Sequence, residues 1–347
     1  QYQRAKNIHA RKFGEHPDQY DVLSVLGEMA VSENKLETAL ALYREIPTKH
    51  QKYGLSTKLR TGEIFIHLNR AAESEQAFQE FLIRARSESG YSAEDLRTAR
   101  SWLCYLYSVQ MRFEERKPIL AELHESESAS VFETKQFFFP SLLIWNSSTG
   151  RERLRQFLEE TPDDPLLNIA EGRYLTGEGR LEEALALLVA SRNRMGDDKR
   201  CISAILECLF ESNDWSAFSD VMKGVSHIAR DDPWLLTQMR GEYALHRREW
   251  EEAIVHFKRL LEEDSTNTIA CMGMSRAYRQ LGLIDESKQM QFRSLTLARI
   301  RPALSKVTET DFTASEDLAR ECEILALEDA AEAFREHARR IRNAAKR

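Results

Sequence analysis

Three stretches of the chain keep one spacing over seventeen residues: "GEMAVSENKLETALALY" from Gly27, "GRYLTGEGRLEEALALL" from Gly172 and "GEYALHRREWEEAIVHF" from Gly241. In each, a glycine stands twelve residues before an alanine and a large residue follows four later: Gly27/Ala39/Tyr43, Gly172/Ala184/Leu188, Gly241/Ala253/Phe257. Two antiparallel helices joined by a short turn need this arrangement. The glycine admits the bulky residue of the second helix, the alanine lets the backbones approach, and the bulky residue one turn on shares the alanine's face. Between them lie the polar turns "SENK", "GEGR" and "HRRE", followed by "LETA", "LEEA" and "WEEA". Acidic residues in a first helical turn suit the positive end of the helix dipole.

The glycine-rich copy has a competing reading as a phosphate loop, since a glycine turn opening a helix aims backbone N–H groups at an anion. That chemistry needs Lys-Ser/Thr directly after the last glycine, or Gly-x-Gly-x-x-Gly between a strand and a helix. Here Gly179 is followed by Arg180 and Leu181, and no β-branched run precedes Gly172. A helical hairpin is the better reading.

These residues resemble the tetratricopeptide repeat family, whose unit of about 34 residues is a helix-turn-helix. Weaker copies fall in phase: Gly62/Ser74/Phe78 starts 35 residues after the first copy, and Ser275/Ser287/Gln291 starts 34 after Gly241. Leu206/Phe218/Met222 and Cys104/Arg116/Leu120 fit by register, and "FFFPSLLIW" followed by "GRERLRQFLEETPDDP" fills residues 132–162, with Pro140 interrupting its first helix. The resemblance implies an all-α fold, a right-handed α-solenoid of about eight stacked hairpins spanning residues 18–299. Departures are visible too. The tryptophan the family often carries four residues before the glycine is replaced by Leu23, Lys58, Asn168 and Thr237, and the spacing stretches to 42 between Gly62 and Cys104 and shrinks to 29 between Leu143 and Gly172. Longer helices or a distorted turn are expected there.

Residues 1–17 are expected to be a helical lead-in; the first residue is Gln1, and "QYQRAKNIHARKFGEHPDQY" begins mid-helix, as if an upstream segment had been removed. Residues 300–347 are expected to form a C-terminal capping helical segment, with a Thr313-x-x-Glu316 capping box and apolar Leu318, Cys322, Leu325, Phe334 and Ile341. Its basic end, Arg335, His337, Arg339, Arg340, Arg342, Lys346 and Arg347, follows an acidic first half. The helix dipole favours that order.

Function classes are narrowed mainly by absences in the sequence. The nine histidines never form His-Glu-x-x-His, and no Gly-x-Ser-x-Gly elbow occurs. Carboxylate pairs such as Glu182-Glu183 and Glu251-Glu252 recur at the same first-turn place, so dipole-complementing charge accounts for them. Trp250 and Trp215 stand three residues before Ala253 and Phe218 and read as packing residues. Five cysteines without a Cys-x-x-Cys pair read as small core residues in a reducing compartment. No enzyme activity, metal, cofactor or small-molecule substrate is expected. No apolar run reaches the length of a membrane helix, no signal peptide is visible, and a cytoplasmic protein is expected. The net charge of −7 sets nucleic acid aside as a partner.

By the resemblance, the first helices of successive hairpins line a concave groove that binds peptides or segments of partner proteins. Groove positions fall three before, one after and four after each glycine place: Ser24, Glu28, Val31; Leu59, Glu63, Ile66; Ile169, Arg173, Thr176; Ser203, Glu207, Phe210; Gln238, Glu242, Leu245; Met272, Arg276, Arg279. The Lys and Asn clamp of the chaperone-binding members is missing, since Ser203/Glu207 and Gln238/Glu242 stand there. The candidate partner-binding residues are Glu28, Glu63, Arg173, Glu207, Phe210, Gln238, Glu242, Leu245, Arg276 and Arg279. Their chemistry suits a ligand of basic and hydrophobic residues, with an acidic residue toward Arg276 and Arg279. The alternatives are a merely solvated face, or a structural scaffold within a larger chain or oligomer whose groove is filled by its own neighbour.

Overall fold

The glycine–bulky pairs meet across their hairpins. A methyl group at Gly27 would stand 2.3 Å from the Tyr43 ring, at Gly62 2.6 Å from Phe78, at Gly172 2.6 Å from Leu188 and at Gly241 2.7 Å from Phe257. No side chain fits at such distances. Ala39, Ala184 and Ala253, at the second place of the spacing, are wholly buried.

The computed structural model describes residues 4, 7, 19–87, 91–126, 128–140, 148–225 and 232–344, which hold helices and turns and no strand. All but two residues of the expected lead-in, the "SLLIW" of the apolar block, and Lys346 and Arg347 lie outside them. The chain divides into two compact units, residues 1–108 with 155–162, and residues 109–154 with 163–347.

The first unit pairs α1 (Gln19–Ser32) with α2 (Leu36–Arg44) and α3 (Gly54–His67) with α4 (Ala71–Ala85), followed by α5 (Ala93–Val109). The second opens with α6 (Phe113–Glu125) and α7 (Val131–Phe138), and the unit boundary then crosses α8 (Ser148–Glu160). Hairpins follow: α9 (Pro165–Gly177) with α10 (Leu181–Met195), α11 (Lys199–Glu211) with α12 (Trp215–Lys223), α13 (Trp234–Arg247) with α14 (Trp250–Glu263), and α15 (Thr268–Gln280) with α16 (Ile284–Lys306). The fold is an all-α, tetratricopeptide-like array of helical hairpins.

A left-handed residue turns the chain between the helices: Asn34, Asn69 and Asn213 at φ 56°, 58° and 57°, Gly179 and Gly282 at 76°, and Arg248 at 65°. Asparagine and glycine tolerate this region best, and it ends helices. Gly179 therefore does the work that asparagine does elsewhere, and the glycine cluster of "GRYLTGEGR" is a hairpin turn. Where serine replaces glycine or alanine, its hydroxyl spans the two helices. Ser74 donates to the Gly62 carbonyl, and Ser275 and Ser287 each donate to the other's carbonyl, all at 2.9 Å.

Successive hairpins stack through the same side chains. A methyl group at Gly273, on α15, would lie 2.3 Å from the far side of Phe257, so this ring is held between its own first helix and the next one. Asp164, Asp198 and Asn267 cap α9, α11 and α15 with side-chain oxygens on first-turn N–H groups.

Residues beyond 300 continue the pattern. α16 runs through residue 300 to Lys306, and α17 (Phe312–Ile324) and α18 (Glu328–Ala344) form one more hairpin. Leu318, Ala330 and Phe334 repeat the twelve-and-four spacing with leucine in the glycine place, and all three are buried.

Two alanine substitutions on α9 test the close approach. Gly172→Ala, against Leu188, should destabilise by about 1–3 kcal/mol through overpacking. Gly177→Ala, five residues on with nothing within 4 Å of the added methyl, should be neutral or stabilise by about 0.4–1 kcal/mol. Urea unfolding followed by circular dichroism measures both.

Candidate interaction face

The stripe on the first helices is a chain of ion pairs. In the second unit the Arg173 guanidinium on α9 donates to both Glu207 carboxylate oxygens on α11, at 2.8 and 3.2 Å. Arg276 on α15 reaches both Glu242 oxygens on α13, at 2.7 and 2.8 Å. Both pairs join residues 34 apart, the same place in adjacent hairpins. In the first unit Glu28 accepts from the Tyr43 hydroxyl at 2.9 Å and pairs with Arg60 at 3.2 Å, and Arg60 also holds Glu63 at 2.8 Å. Each glutamate of the stripe thus has an arginine.

Burial sets how much each pair matters. The Glu242 carboxyl is pushed above the usual carboxylate range by burial, against the pull of Arg276. Burial and the neighbouring Glu28 together raise the Tyr43 hydroxyl far above its usual value. Arg276 itself is half exposed.

The remaining stripe residues are apolar or unmatched. Phe210 is half-buried and lies edge-on to Trp215 at 5.8 Å, and the Trp215 indole stacks flat on His246 at 3.8 Å. Leu245 packs beside Ala253 and Phe257, and Gln238 is half-buried on α13. On α15, Ile269 and Met272 are each 42% exposed, and Arg279 is exposed in the last turn.

The helix of Arg116 and Leu120, α6, fits the repeat by register, but its course along the junctions between the later hairpins is not written in the sequence. Met111, just before it, gives its carbonyl to Arg173 at 3.3 Å, and Glu115 meets Arg200 at 3.3 Å. Glu114 accepts the first N–H of α13, from Trp234, at 2.7 Å, where the cap residue Pro233 offers no side-chain cap. Lys117 donates to the carbonyl and carboxylate of Glu263 at the end of α14, at 3.0 and 2.7 Å. An acid at a helix N-terminus and a lysine at a C-terminus both answer the helix dipoles. Asp232, one residue before the cap place that Pro233 fills, holds Lys199 at 2.9 Å and Arg240 at 3.3 Å. The one available signal was Arg116, a wholly buried guanidinium at the place where the strict copies carry alanine, stacked 4.8 Å over the Phe113 ring.

Between α6 and these junctions lies a cavity of about 560 Å³, and its walls carry four Lys/Arg against five Asp/Glu. Such balance gives no positive track for a phosphate backbone. Among the described residues, no group of three His, Cys, Asp or Glu is placed to hold a metal, and no helix is long and apolar enough to cross a membrane.

No family model matches the chain, and no curated protein matches it. Among solved structures, it is similar to a tetratricopeptide repeat protein from Parabacteroides merdae, at 13% identity and a TM-score of 0.36, over 74% of this chain and 98% of that one. The human IFIT1 dimer with m7Gppp-AAAA matches at 15% identity and a TM-score of 0.40, over 97% and 80% of the two chains. The Cut9-Hcn1 hetero-tetramer of the APC/C matches at 13% and 0.33, over 98% and 84%.

The Glu242–Arg276 pair yields an asymmetric pH test. Arg276→Ala leaves a buried carboxylate without its cation and should destabilise by about 1–2 kcal/mol, the usual cost of breaking a buried pair reduced because Arg276 is half exposed. Glu242→Gln should cost less. Since Glu242 holds its proton more tightly when folded, the Arg276→Ala deficit is greatest at neutral pH and shrinks as pH falls toward the unfolded value of 4.5. Urea titrations at several pH values measure it.

Proposed function

We propose that this chain is a non-catalytic interaction scaffold that receives a segment of a partner protein on the first-helix stripe of its second unit. The observation that supports it is the exposed apolar pair Ile269 and Met272 on the same helix as Arg276 and Arg279, with Arg279 in register with Leu245 and Phe210. Because Arg173–Glu207 and Glu242–Arg276 already satisfy one another, the charge left to choose a partner is Arg279. The segment that fits is apolar, with an acidic residue near Arg279. Apolar contacts supply most of the affinity, and the exposed charge sets selectivity and salt dependence. Glu28 and Glu63, around Arg60 in the first unit, form a separate stretch with excess negative charge. They suit a basic residue.

A structural role in a larger assembly is the second reading. It draws on α6, which occupies the junction edge of the array with a segment of the same chain. The balanced cavity walls and the net charge of −7 argue against nucleic acid, and five buried free thiols suit a reducing, cytoplasmic setting.

Affinity capture of partners by the whole chain, compared among variants, tests the interaction reading. Phe210→Ala with Leu245→Ala should weaken the specific partner about five- to thirtyfold, equivalent to about 1–2 kcal/mol of apolar contact. Val189→Ala with Val255→Ala, at exposed positions on second helices, should leave binding unchanged. Circular dichroism checks that both fold. Binding lost only in the second pair would place recognition on the opposite face and overturn the proposal.

A further inference from the structure

Two charged side chains and a shared core hold α7 against the end of the array. The Lys135 ammonium, on α7, donates to the carbonyls of Leu304 and Val307 at the end of α16, at 3.1 and 2.9 Å. Glu309, in the α16–α17 connection, accepts the first N–H of α7, from Val131, at 2.9 Å. Beneath them Val131 and Phe139 share one core with Leu304, Leu318 and Phe334. Docked in this way, α7 and α6 form one wall of a groove of about 840 Å³, and α18 forms the other. Asp329, Ala333, Glu336, Arg340 and Ala344 line it from one face of α18, at steps of three and four residues. At 1.5 Å per residue that stripe runs for about 22 Å. The floor is apolar: Phe137 and Phe138 on α7 and Ile341 on α18 are half-buried, and Phe137 stacks on His124 of α6 at 5.1 Å.

We infer that this groove receives a basic, amphipathic helix of a partner protein. Charge carries the inference together with the apolar floor. The lining holds the carboxylates of Glu125, Glu309, Asp329, Glu332 and Glu336 against one arginine, Arg340, and all six side chains are exposed. The other arginines near the end of α18 turn elsewhere. Arg335 and Arg339 hold Glu332, and Arg342 holds Glu316 and lies over the Phe312 ring. Arg340 meets Glu336 at 3.6 Å. Among the described residues Glu125 and Asp329 form no ion pair, and Glu309 pairs with no lysine or arginine, facing the His337 ring at 3.5 Å. His337 in turn lies 2.9 Å from the Ser315 hydroxyl. Three carboxylates around an apolar floor therefore await cations.

A helix of about four turns matches the stripe in length. Its apolar face seats on Phe137, Phe138 and Ile341, and lysine or arginine at its edges meets Glu125, Asp329 and Glu309. Apolar contact supplies most of the affinity and the carboxylates choose the sign of the partner, because exposed ion pairs contribute little each. This ligand is opposite in charge to the acidic segment proposed for the first-helix stripe, so the two sites take different partners.

Fluorescence anisotropy on the whole chain tests the groove with two labelled peptides of about fifteen residues, the length of the stripe. One alternates leucine and lysine at helical spacing, and the other carries glutamate for each lysine. The lysine peptide should bind, more weakly as salt rises, and the glutamate peptide should not. Glu125→Lys with Asp329→Lys should weaken the lysine peptide about tenfold or more. Glu182→Lys with Glu251→Lys, at exposed carboxylates on α10 and α14, changes net charge equally and should weaken it less than about twofold. Ala333→Trp fills the groove without altering charge and should weaken it about fivefold or more. Circular dichroism checks each fold; if the groove charge variant fails to fold, Glu125→Gln with Asp329→Asn replaces it, with about a threefold loss expected. No binding of the lysine peptide, equal binding of both peptides, or equal losses in the groove and control charge variants overturn the inference. Two further results give the groove to this chain itself and overturn the partner. One is a dimer, seen by sedimentation, that Ala333→Trp dissociates; the other is a peptide of residues 1–17, with Arg4, Lys6, Arg11 and Lys12, that binds more tightly than the lysine peptide.

Discussion

The close approach of two helix backbones at a glycine or alanine, with one large side chain seated between them, is the contact from which the hairpins grow. Phe257 illustrates its reach. The ring lies against Gly241 within its own hairpin and against Gly273 in the next, so one residue holds two interfaces. Dispersion and burial both depend on that fit. Without the missing Cβ atoms, the ring would have to leave the seam. The same geometry explains why serine is tolerated at Ser74, Ser275 and Ser287: each is small, and each hydroxyl finds a carbonyl across the helices.

Stacking helices in this way leaves their ends to be satisfied, and the second unit uses charged side chains from elsewhere in the chain to do it. Asp164, Asp198 and Asn267 cap their own helices. At α13, where Pro233 stands at the cap, Glu114 takes the first N–H, and the buried Asp232 just before it holds Lys199 and Arg240. Lys117 and Lys135 each close a helix C-terminus, and Glu309 closes an N-terminus. These contacts answer helix dipoles, Lys135 from a buried position and Lys117 from an exposed one. They bind α6 and α7 to the hairpins by interactions independent of the glycine seams.

The stripe on the first helices follows the same economy of charge. Arg173–Glu207 and Glu242–Arg276 join neighbouring hairpins, so residues that suggest ligand contacts when read singly also brace the array. On the same face Met272, Ile269 and Arg279 stay exposed to solvent.

The amino-acid order alone determined the hairpins, because glycine, alanine and the bulky residue all fall within seventeen residues and each acts inside one helix pair. The positions of the stripe were equally legible, being a fixed offset from each glycine. The last hairpin was not, since Leu318 replaces the glycine and only the burial of Ala330 and Phe334 reveals the seam. Tertiary structure decided which charges remain free and where α6 and α7 go. Those outcomes turn on contacts such as Trp234 with Glu114, 120 residues apart, and Val131 with Glu309, 178 apart. A local period encodes which face of a helix is apolar. It carries no information about which distant helix end will be left without a cap, and that end is what each of these side chains found.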